Sequence, residues 1–138
     1  MTEFGVESKN RIKENAKNTE LRRAASRFMK ASTTPKYSYN FFWQGRPIIQ
    51  YPQDIIAMQE LIWSIKPDLI IETGIAHGGS LIFNASMLAL VEMSQAIEKK
   101  QIIEPSKPKS MVLGIDIDIR KHNEIAIKSH PMYSRIKM

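Results

Sequence analysis

One segment, residues 68–80 (DLIIETGIAHGGS), constrains the fold more than any other part of the chain. An apolar run of strand type ends at the carboxylate of Glu72, a turn with three glycines follows, and a helical pattern begins at Gly79. A strand, a glycine turn and a helix in this order are typical of nucleotide-type cofactor sites in α/β proteins. The segment therefore predicts an open parallel sheet with a cofactor beyond the carboxyl ends of its strands.

A second strand is predicted at residues 111–118 (MVLGIDID), and it again ends in carboxylates. Because parallel strands end at the same rim of a sheet, Glu72 and Asp116 are expected on one rim. In a compact βαβ unit, the second acid stands about 20 residues after the glycine motif. The spacing here is wider, so the connection at residues 101–110 (QIIEPSKPKS) is interpreted as an insertion.

The two acids indicate which ligand to expect. A dinucleotide places its pyrophosphate on the glycine turn, where Glu72 would repel it. S-adenosylmethionine has a cationic, zwitterionic end and a free ribose, and it has no phosphate. Asp116 is the natural acceptor for two ribose hydroxyls, and Gly74 and Gly78 let the backbone approach the cofactor closely.

Rival glycine motifs do not match. A P-loop requires Lys and then Ser or Thr after its last glycine, whereas Ser80 and Leu81 stand there. The dinucleotide pattern GxGxxG fails because Ile75 and Ala76 follow Gly74. The remaining alternative is an ordinary tight turn between a strand and a helix.

Residues 37–80 and 112–136 resemble the family named for cephalosporin hydroxylase and rhamnosyl O-methyltransferase, most clearly in the runs GRPIIQYPQD, IIETGIAHGGS and GIDIDIR. The resemblance implies a Rossmann-like class I methyltransferase fold that uses S-adenosylmethionine, often with Mg²⁺. It also implies an acceptor hydroxyl on a sugar, glycolipid or small metabolite, as in lipid or polysaccharide biosynthesis. The cofactor residues implied by position are Glu72, Gly74, Ala76, Gly78, Ser80 and Asp116.

The chain departs from the family by ending at Met138, near the point where a third strand is expected after Ser134. We therefore expect only the N-terminal half of the family's domain. The metal ligands and acceptor pocket are expected in the later half, so no metal ligand or catalytic residue is assigned. A truncated reading frame, a gene fragment and a deliberately shortened chain all stay open. A half sheet is expected to leave an unpaired edge and an uncovered apolar face.

Two regions are predicted. Residues 1–35 are interpreted as a helical appendage with one amphipathic helix over Glu7–Ala31. Residues 36–138 are interpreted as the partial Rossmann-like cofactor domain. Within the second region, residues 32–52 are expected to form an ordered loop with a short strand at Pro47–Gln50. The aromatic residues of this loop either cover the cofactor site or bury against the sheet.

Local signals place four elements of the second region. Asp54 is the expected N-cap of a helix that ends before Pro67. The apolar run at residues 69–71 predicts a parallel strand that is buried on both faces. After Gly79, a long and largely apolar helix is expected to pack against the sheet, and a short helix is expected near residues 123–129.

Composition narrows the partners. The net charge of +6 is unevenly spread, with +6, −4 and +4 over residues 1–46, 47–105 and 106–138. The basic residues of the first segment are not interleaved with stacking aromatics, so a solvated helix face is favoured over a nucleic-acid site. No stretch is expected to be long enough to span a membrane, and no signal-peptide core is present. The absence of cysteine agrees with a reducing compartment. A cytoplasmic protein with a small-molecule or saccharide acceptor is expected, and homo-oligomerisation stays open.

Two other functions compete with methyl transfer. A non-catalytic fragment or interaction module is the main alternative, because metal and acceptor residues are not assigned. An iron-dependent hydroxylase, suggested by the family name, is less favoured. That chemistry usually needs two histidines and a carboxylate with a close HxD pair, and the three histidines, His77, His122 and His130, do not form one.

Overall fold

The structure, a computed structural model, describes residues 2–138, which divide into two compact units with the boundary after Tyr37. The first unit consists of α1 (Glu3–Lys17) and α2 (Thr19–Thr33). The single helix expected over Glu7–Ala31 was wrong, because Asn18 adopts an extended conformation with φ −71° and ψ 103°. The Asn18 side-chain oxygen accepts a hydrogen bond from the N–H of Leu21 at 3.0 Å. Asparagine favours this cap position because its side chain satisfies a helix N–H that has no backbone partner.

The second unit begins with a hairpin. Strand β1 (Phe41–Trp43) pairs antiparallel with β2 (Arg46–Ile48). The turn residues Gln44 and Gly45 have φ values of 45° and 80°, as a tight two-residue hairpin turn requires. The strand expected at Pro47–Gln50 is present but begins and ends earlier, whereas β1 was expected to be loop.

The aromatic residues of the hairpin divide between two environments. Phe41 and Trp43 pack against the core, whereas Phe42 is 66% exposed. This division follows the alternation of side chains along a strand. Trp43 also donates a hydrogen bond from Nε1 to Oγ of Ser86 at 3.1 Å, and its ring meets the Phe83 ring edge-on at 4.9 Å. The hairpin is thereby fixed to the helix that follows the glycine turn.

Helix α3 (Pro52–Ile65) follows the hairpin. The expectation that Asp54 caps this helix was wrong, because Tyr51 is the N-cap and Asp54 lies in the first turn. Pro52 explains the earlier start, since proline at the first helical position has a suitable φ and lacks an N–H that would be unpaired there. The helix ends at Lys66, in the left-handed conformation, before Pro67 as expected.

A three-stranded parallel sheet forms the centre of the second unit. Its strands are β3 (Leu69–Thr73), β4 (Met111–Ile115) and β5 (Ile136–Lys137), in the order β3-β4-β5. Helix α4 (Gly79–Lys99) connects β3 with β4. Helix α5 (Lys121–Lys128) and a short 3₁₀ helix (Pro131–Arg135) connect β4 with β5. This mixed α/β arrangement is compatible with a fragment of a Rossmann-like fold.

The two faces of the sheet differ in burial. On the face toward α4, Val112 is fully buried. On the opposite face, Leu69, Ile71 and Ile115 are about half exposed, at 50%, 58% and 49%. The expectation that β3 is buried on both faces was therefore wrong, because no element within residues 38–138 covers the second face. The uncovered apolar face expected of a half sheet is present within residues 38–138.

Helix α4 supplies much of the core. Leu81, Ile82, Phe83 and Leu88 are at most 1% exposed. By length and composition this helix could also cross a membrane, so the expectation that no stretch has that length was wrong. In the structure, 56% of its most apolar window is buried inside the protein, as in the core helix of a globular domain.

Gly79 is needed for close contact between α4 and the hairpin. A Cβ atom at Gly79 would lie 2.2 Å from the carbonyl oxygen of Pro47 and 2.8 Å from Cα of Ile48. Both are backbone atoms, so a local side-chain shift cannot relieve the overlap. We expect Gly79→Ala to lower the free energy of unfolding in urea by about 1–3 kcal/mol through overpacking. Alanine has a higher helix propensity than glycine. A Gly79→Ala variant that is more stable than the unchanged chain would therefore contradict the close contact with the hairpin backbone.

Candidate functional site

The site is built on the end of β3 and the first two turns of α4. Glu72 lies in β3, and Ser80 and Asn84 lie four residues apart on α4, so the latter two share one helix face. Ser80 Oγ donates a hydrogen bond to Oε1 of Glu72, and Nδ2 of Asn84 donates to Oε2 at 2.9 Å. Burial raises the pKa of the Glu72 carboxyl, and these two hydrogen bonds offset part of that rise.

A cleft of about 270 Å³ opens above this carboxylate. Four of the residues expected to hold the cofactor line it, namely Glu72, Gly74, Ala76 and Ser80. The hairpin and the segment after it form another wall through Pro47, Ile49 and Gln50. Asn84, which is 5% exposed, also lines the cleft. The tight contact between Gly79 and Pro47 is what brings these two walls together.

The glycine turn has three residues with positive φ: Gly74 at 80°, Ala76 at 44° and Gly78 at 80°. A Cβ at Gly74 would meet no atom within 4 Å, so the backbone there is open to a ligand. A Cβ at Gly78 would lie 2.4 Å from two carbons of Ile127 on α5. Gly78 does not line the cleft, so its requirement for glycine comes from packing of α5 and from its φ.

Ala76 is the strained member of the turn, because the left-handed conformation is unfavourable for residues with a Cβ. Asn123, on α5, holds it there by donating from Nδ2 to the Ala76 carbonyl oxygen at 2.9 Å. Arg46 of the hairpin donates from Nε to the carbonyl oxygen of His77 at 3.0 Å and from Nη2 to Oδ1 of Asn123 at 3.2 Å. Two separate elements, the hairpin and α5, thus fix the carbonyl groups of Ala76 and His77 in the turn.

Asp116 joins the turn to the end of β4. Its Oδ2 accepts a hydrogen bond from the N–H of Ile75 at 2.8 Å, and its Oδ1 accepts from the N–H of Asp118 at 3.1 Å. The hydrogen bonds from the backbone of Asp118 and Ile75 lower the pKa of the Asp116 carboxyl. Asp116 does not line the cleft itself. A carboxylate oxygen can accept a second hydrogen bond, so Asp116 keeps capacity for a ligand hydroxyl at this rim.

The sequence analysis missed four polar residues of the site: Arg46, Gln50, Asn84 and Asn123. The sequence could have predicted Asn84 as a site residue, because it stands one helical turn after Ser80 and so lies on the same helix face. No sequence pattern predicts Gln50 and Arg46 as site residues, since only the fold of the hairpin brings them to the turn. Asn123 lies in a short helix, where an asparagine is usually a surface residue, yet it is 4% exposed.

A magnesium site is not formed by the residues present. Within residues 2–138, no three His, Cys, Asp or Glu side chains are close enough to hold a metal ion together. The residues do fit a polar organic cofactor, because an open glycine backbone, the partly buried Glu72 carboxylate and the amide groups of Gln50 and Asn84 line one cleft.

A comparison with known protein families gives one match. A family model described as rhamnosyl O-methyltransferase/CmcI matches residues 35–138. Neither a curated protein nor a solved structure matches the chain. The matched range includes the hairpin, the glycine turn, the Glu72 carboxylate and Asp116.

Proposed function

Because the chain belongs to the rhamnosyl O-methyltransferase/CmcI family, we propose that it is an S-adenosylmethionine-dependent O-methyltransferase whose residues 38–138 bind the cofactor. The proposed acceptor is a hydroxyl group of a sugar, glycolipid or small metabolite. The observation that carries the cofactor assignment is the partly buried Glu72 carboxylate, which lines the cleft beside the glycine turn.

The charge in the cleft favours S-adenosylmethionine over a dinucleotide. The N-terminus of α4 and the open backbone at Gly74 would suit a phosphate on their own. Glu72, however, places a negative charge at the same turn, and no Lys or Arg of the described residues lines the cleft to offset it. A ligand with a positive end and no phosphate matches this arrangement.

In this proposal, different residues of the site bind different parts of the cofactor. Glu72 and the first turns of α4 suit the cationic amino-acid end, and Gly74 allows close approach of the backbone. Asp116 suits the ribose hydroxyls. The bound cofactor would supply an electrophilic methyl group for an acceptor oxygen. For this transfer, positioning of the two reactants can provide much of the rate enhancement.

Calorimetric titration of the complete chain with S-adenosylmethionine, and in parallel with NAD, tests the proposal. We expect saturable binding of S-adenosylmethionine and none of NAD. Binding of NAD alone would contradict the assignment, because it would show that the turn accepts a pyrophosphate beside Glu72.

Asp116→Ala is expected to weaken S-adenosylmethionine binding roughly 5- to 100-fold, the usual effect of losing a hydrogen bond to a charged group. Asp118→Ala is the matched control, because Asp118 is an exposed carboxylate two residues away that does not line the cleft. Both affinities are measured by calorimetry. Unchanged affinity in Asp116→Ala would remove Asp116 from the site.

A second candidate is an interaction module without catalytic activity. The observation in its favour is the exposed apolar face of the sheet at Leu69, Ile71 and Ile115, because apolar patches of this kind often mark protein interfaces. A chain that circular dichroism shows to be folded, and that binds neither S-adenosylmethionine nor NAD, would favour this second function.

A further inference from the structure

Two buried side-chain oxygen atoms of the described residues have no hydrogen-bond partner: Oε1 of Gln50 and Oδ1 of Asn84. Both residues line the cleft above Glu72. Buried polar atoms are nearly always paired in native proteins, because leaving one unpaired costs stability. Two unpaired acceptors in one cleft therefore indicate a place for a donor that arrives with the ligand.

The orientation of the Asn84 amide follows from Glu72. An ionised carboxylate only accepts hydrogen bonds, so Asn84 must present Nδ2 to it, as the 2.9 Å contact shows. The oxygen Oδ1 is then left without a partner. Glu72, in contrast, has one partner for each carboxylate oxygen, Ser80 and Asn84. The two amide oxygens are therefore the buried side-chain acceptors of the cleft that have no partner at all, and the negative charge of Glu72 lies within hydrogen-bond distance of Asn84.

The chemistry of the donor follows from the charge. Among the described residues, Glu72 is the one Asp, Glu, Lys or Arg that lines the cleft, and His77 is the other titratable residue there. A cationic donor is attracted by that carboxylate, and an ammonium group carries three N–H donors that can serve several acceptors at once. In S-adenosylmethionine, the amino-acid end is the part that carries an ammonium group.

We propose that Gln50 Oε1 and Asn84 Oδ1 accept hydrogen bonds from the ammonium group at the amino-acid end of the cofactor, an inference that rests on the proposed function. Glu72, hydrogen-bonded to Asn84, then supplies the negative charge, and Gln50 supplies an acceptor from the segment after the hairpin. This arrangement selects ligands that have the ammonium group over adenosine compounds that lack it.

Gln50 offers the sharper test. Its side chain makes no hydrogen bond to another described residue, so changing it leaves no protein group without a partner. The probes are S-adenosylmethionine and methylthioadenosine, which keeps the adenosine and the sulfur but lacks the amino-acid end. Calorimetric titrations compare the complete chain with Gln50→Leu and Gln50→Glu. Gln53→Leu is the control, because Gln53 is an exposed glutamine of α3 that does not line the cleft.

Gln50→Leu is expected to weaken S-adenosylmethionine binding about 10- to 100-fold, the usual range for a hydrogen bond to a charged group. Binding of methylthioadenosine is expected to stay unchanged. Gln50→Glu is expected to keep or tighten S-adenosylmethionine binding, because a carboxylate accepts from ammonium more strongly than an amide does. The unfolding midpoint of Gln50→Leu is expected to stay the same or rise, because the change removes an unpaired buried oxygen.

Four other outcomes overturn the inference. Unchanged S-adenosylmethionine affinity in Gln50→Leu would do so while leaving the proposed function in place. Equal weakening of both ligands, with a lowered unfolding midpoint, would make Gln50 structural. Weakening in Gln50→Glu as large as in Gln50→Leu would mean that Gln50 faces an anionic group. If the unchanged chain binds neither ligand, the proposed function fails and this inference fails with it.

Discussion

Replacing Arg135 with leucine is expected to lower the free energy of unfolding of the second unit by about 3–5 kcal/mol, the usual cost of breaking a buried ion pair. Arg135 is 4% exposed, and its Nη1 and Nη2 each lie 2.7 Å from one carboxylate oxygen of Glu92. Leucine would leave the Glu92 carboxylate buried without its cation. The loss is measured by urea unfolding followed by circular dichroism.

The expected loss is large because the pair connects three elements. Glu92 lies on α4, Arg135 precedes β5, and Ser110, immediately before β4, donates to Oε1 of Glu92 from its N–H at 2.7 Å and from Oγ at 2.6 Å. Arg135→Lys is the control, because lysine keeps the charge but cannot make the bidentate contact. We expect it to fall between the wild type and Arg135→Leu. A loss of less than about 1 kcal/mol in Arg135→Leu, as for a surface pair, would contradict the structure.

The same pair predicts a pH dependence. Burial alone would raise the pKa of the Glu92 carboxyl, but hydrogen bonds from Arg135 and Ser110 outweigh it and lower the pKa from 4.5 to about 2. Because the folded-state pKa lies below the unfolded value, the pair contributes its full stability above pH 4.5 and loses it as the pH falls towards about 2. As the pH falls between these values, the free energy of unfolding measured in urea should decline less in Arg135→Leu than in the unchanged chain.

Glu72→Ala is expected to have the largest effect on ligand binding, a loss of about 2–5 kcal/mol in the free energy of S-adenosylmethionine binding. The change removes the negative charge of the cleft and leaves Ser80 and Asn84 without their acceptor. Glu98→Ala is the matched control, because it removes the same charge from an exposed position of α4 outside the cleft. Affinities are compared by calorimetry.

Substitution of Glu72 should affect the free energy of unfolding differently from the affinity for the cofactor. Burial raises the pKa of Glu72, so the folded chain holds the proton more tightly than the unfolded chain and ionisation opposes folding. Glu72→Gln should therefore unfold at the same or a higher urea concentration than the unchanged chain near neutral pH, although it binds the cofactor weakly. In the unchanged chain, affinity should fall as the pH decreases through the raised pKa, because a protonated Glu72 no longer attracts a cation. Equal affinity of Glu72→Ala and Glu98→Ala would exclude Glu72 from the site.

Regular local patterns predicted most of the second unit well. The apolar run at residues 69–71, the glycine turn and the helix from Gly79 appear in the expected order, because each depends on neighbouring residues. The predictions of helix boundaries were wrong where a residue can play either of two structural roles. Asn18 stands inside an amphipathic pattern but interrupts the helix as a cap, and Pro52 sets a helix start that was assigned to Asp54.

Burial was harder to predict than element type. The residues of β3 are apolar enough for a strand buried on both faces, yet Leu69 and Ile71 are half exposed. Composition shows that a side chain can be buried, but only a neighbouring element buries it. Similarly, Phe41 and Phe42 are the same residue type, and only the pleat of the hairpin decides which of them packs on the core.

The amino-acid sequence by itself determined the order of strands and helices, the glycine turn and the two acids at the ends of the strands, because these are properties of local spacing and residue type. Only the tertiary structure decided which polar groups meet at the turn. Arg46 and Asn123 lie 77 residues apart and yet hold it together. Gln50 reaches the cleft because Gly79 admits the backbone of Pro47. Contacts of this kind depend on packing between segments that are distant in the sequence, so no local sequence pattern predicts them.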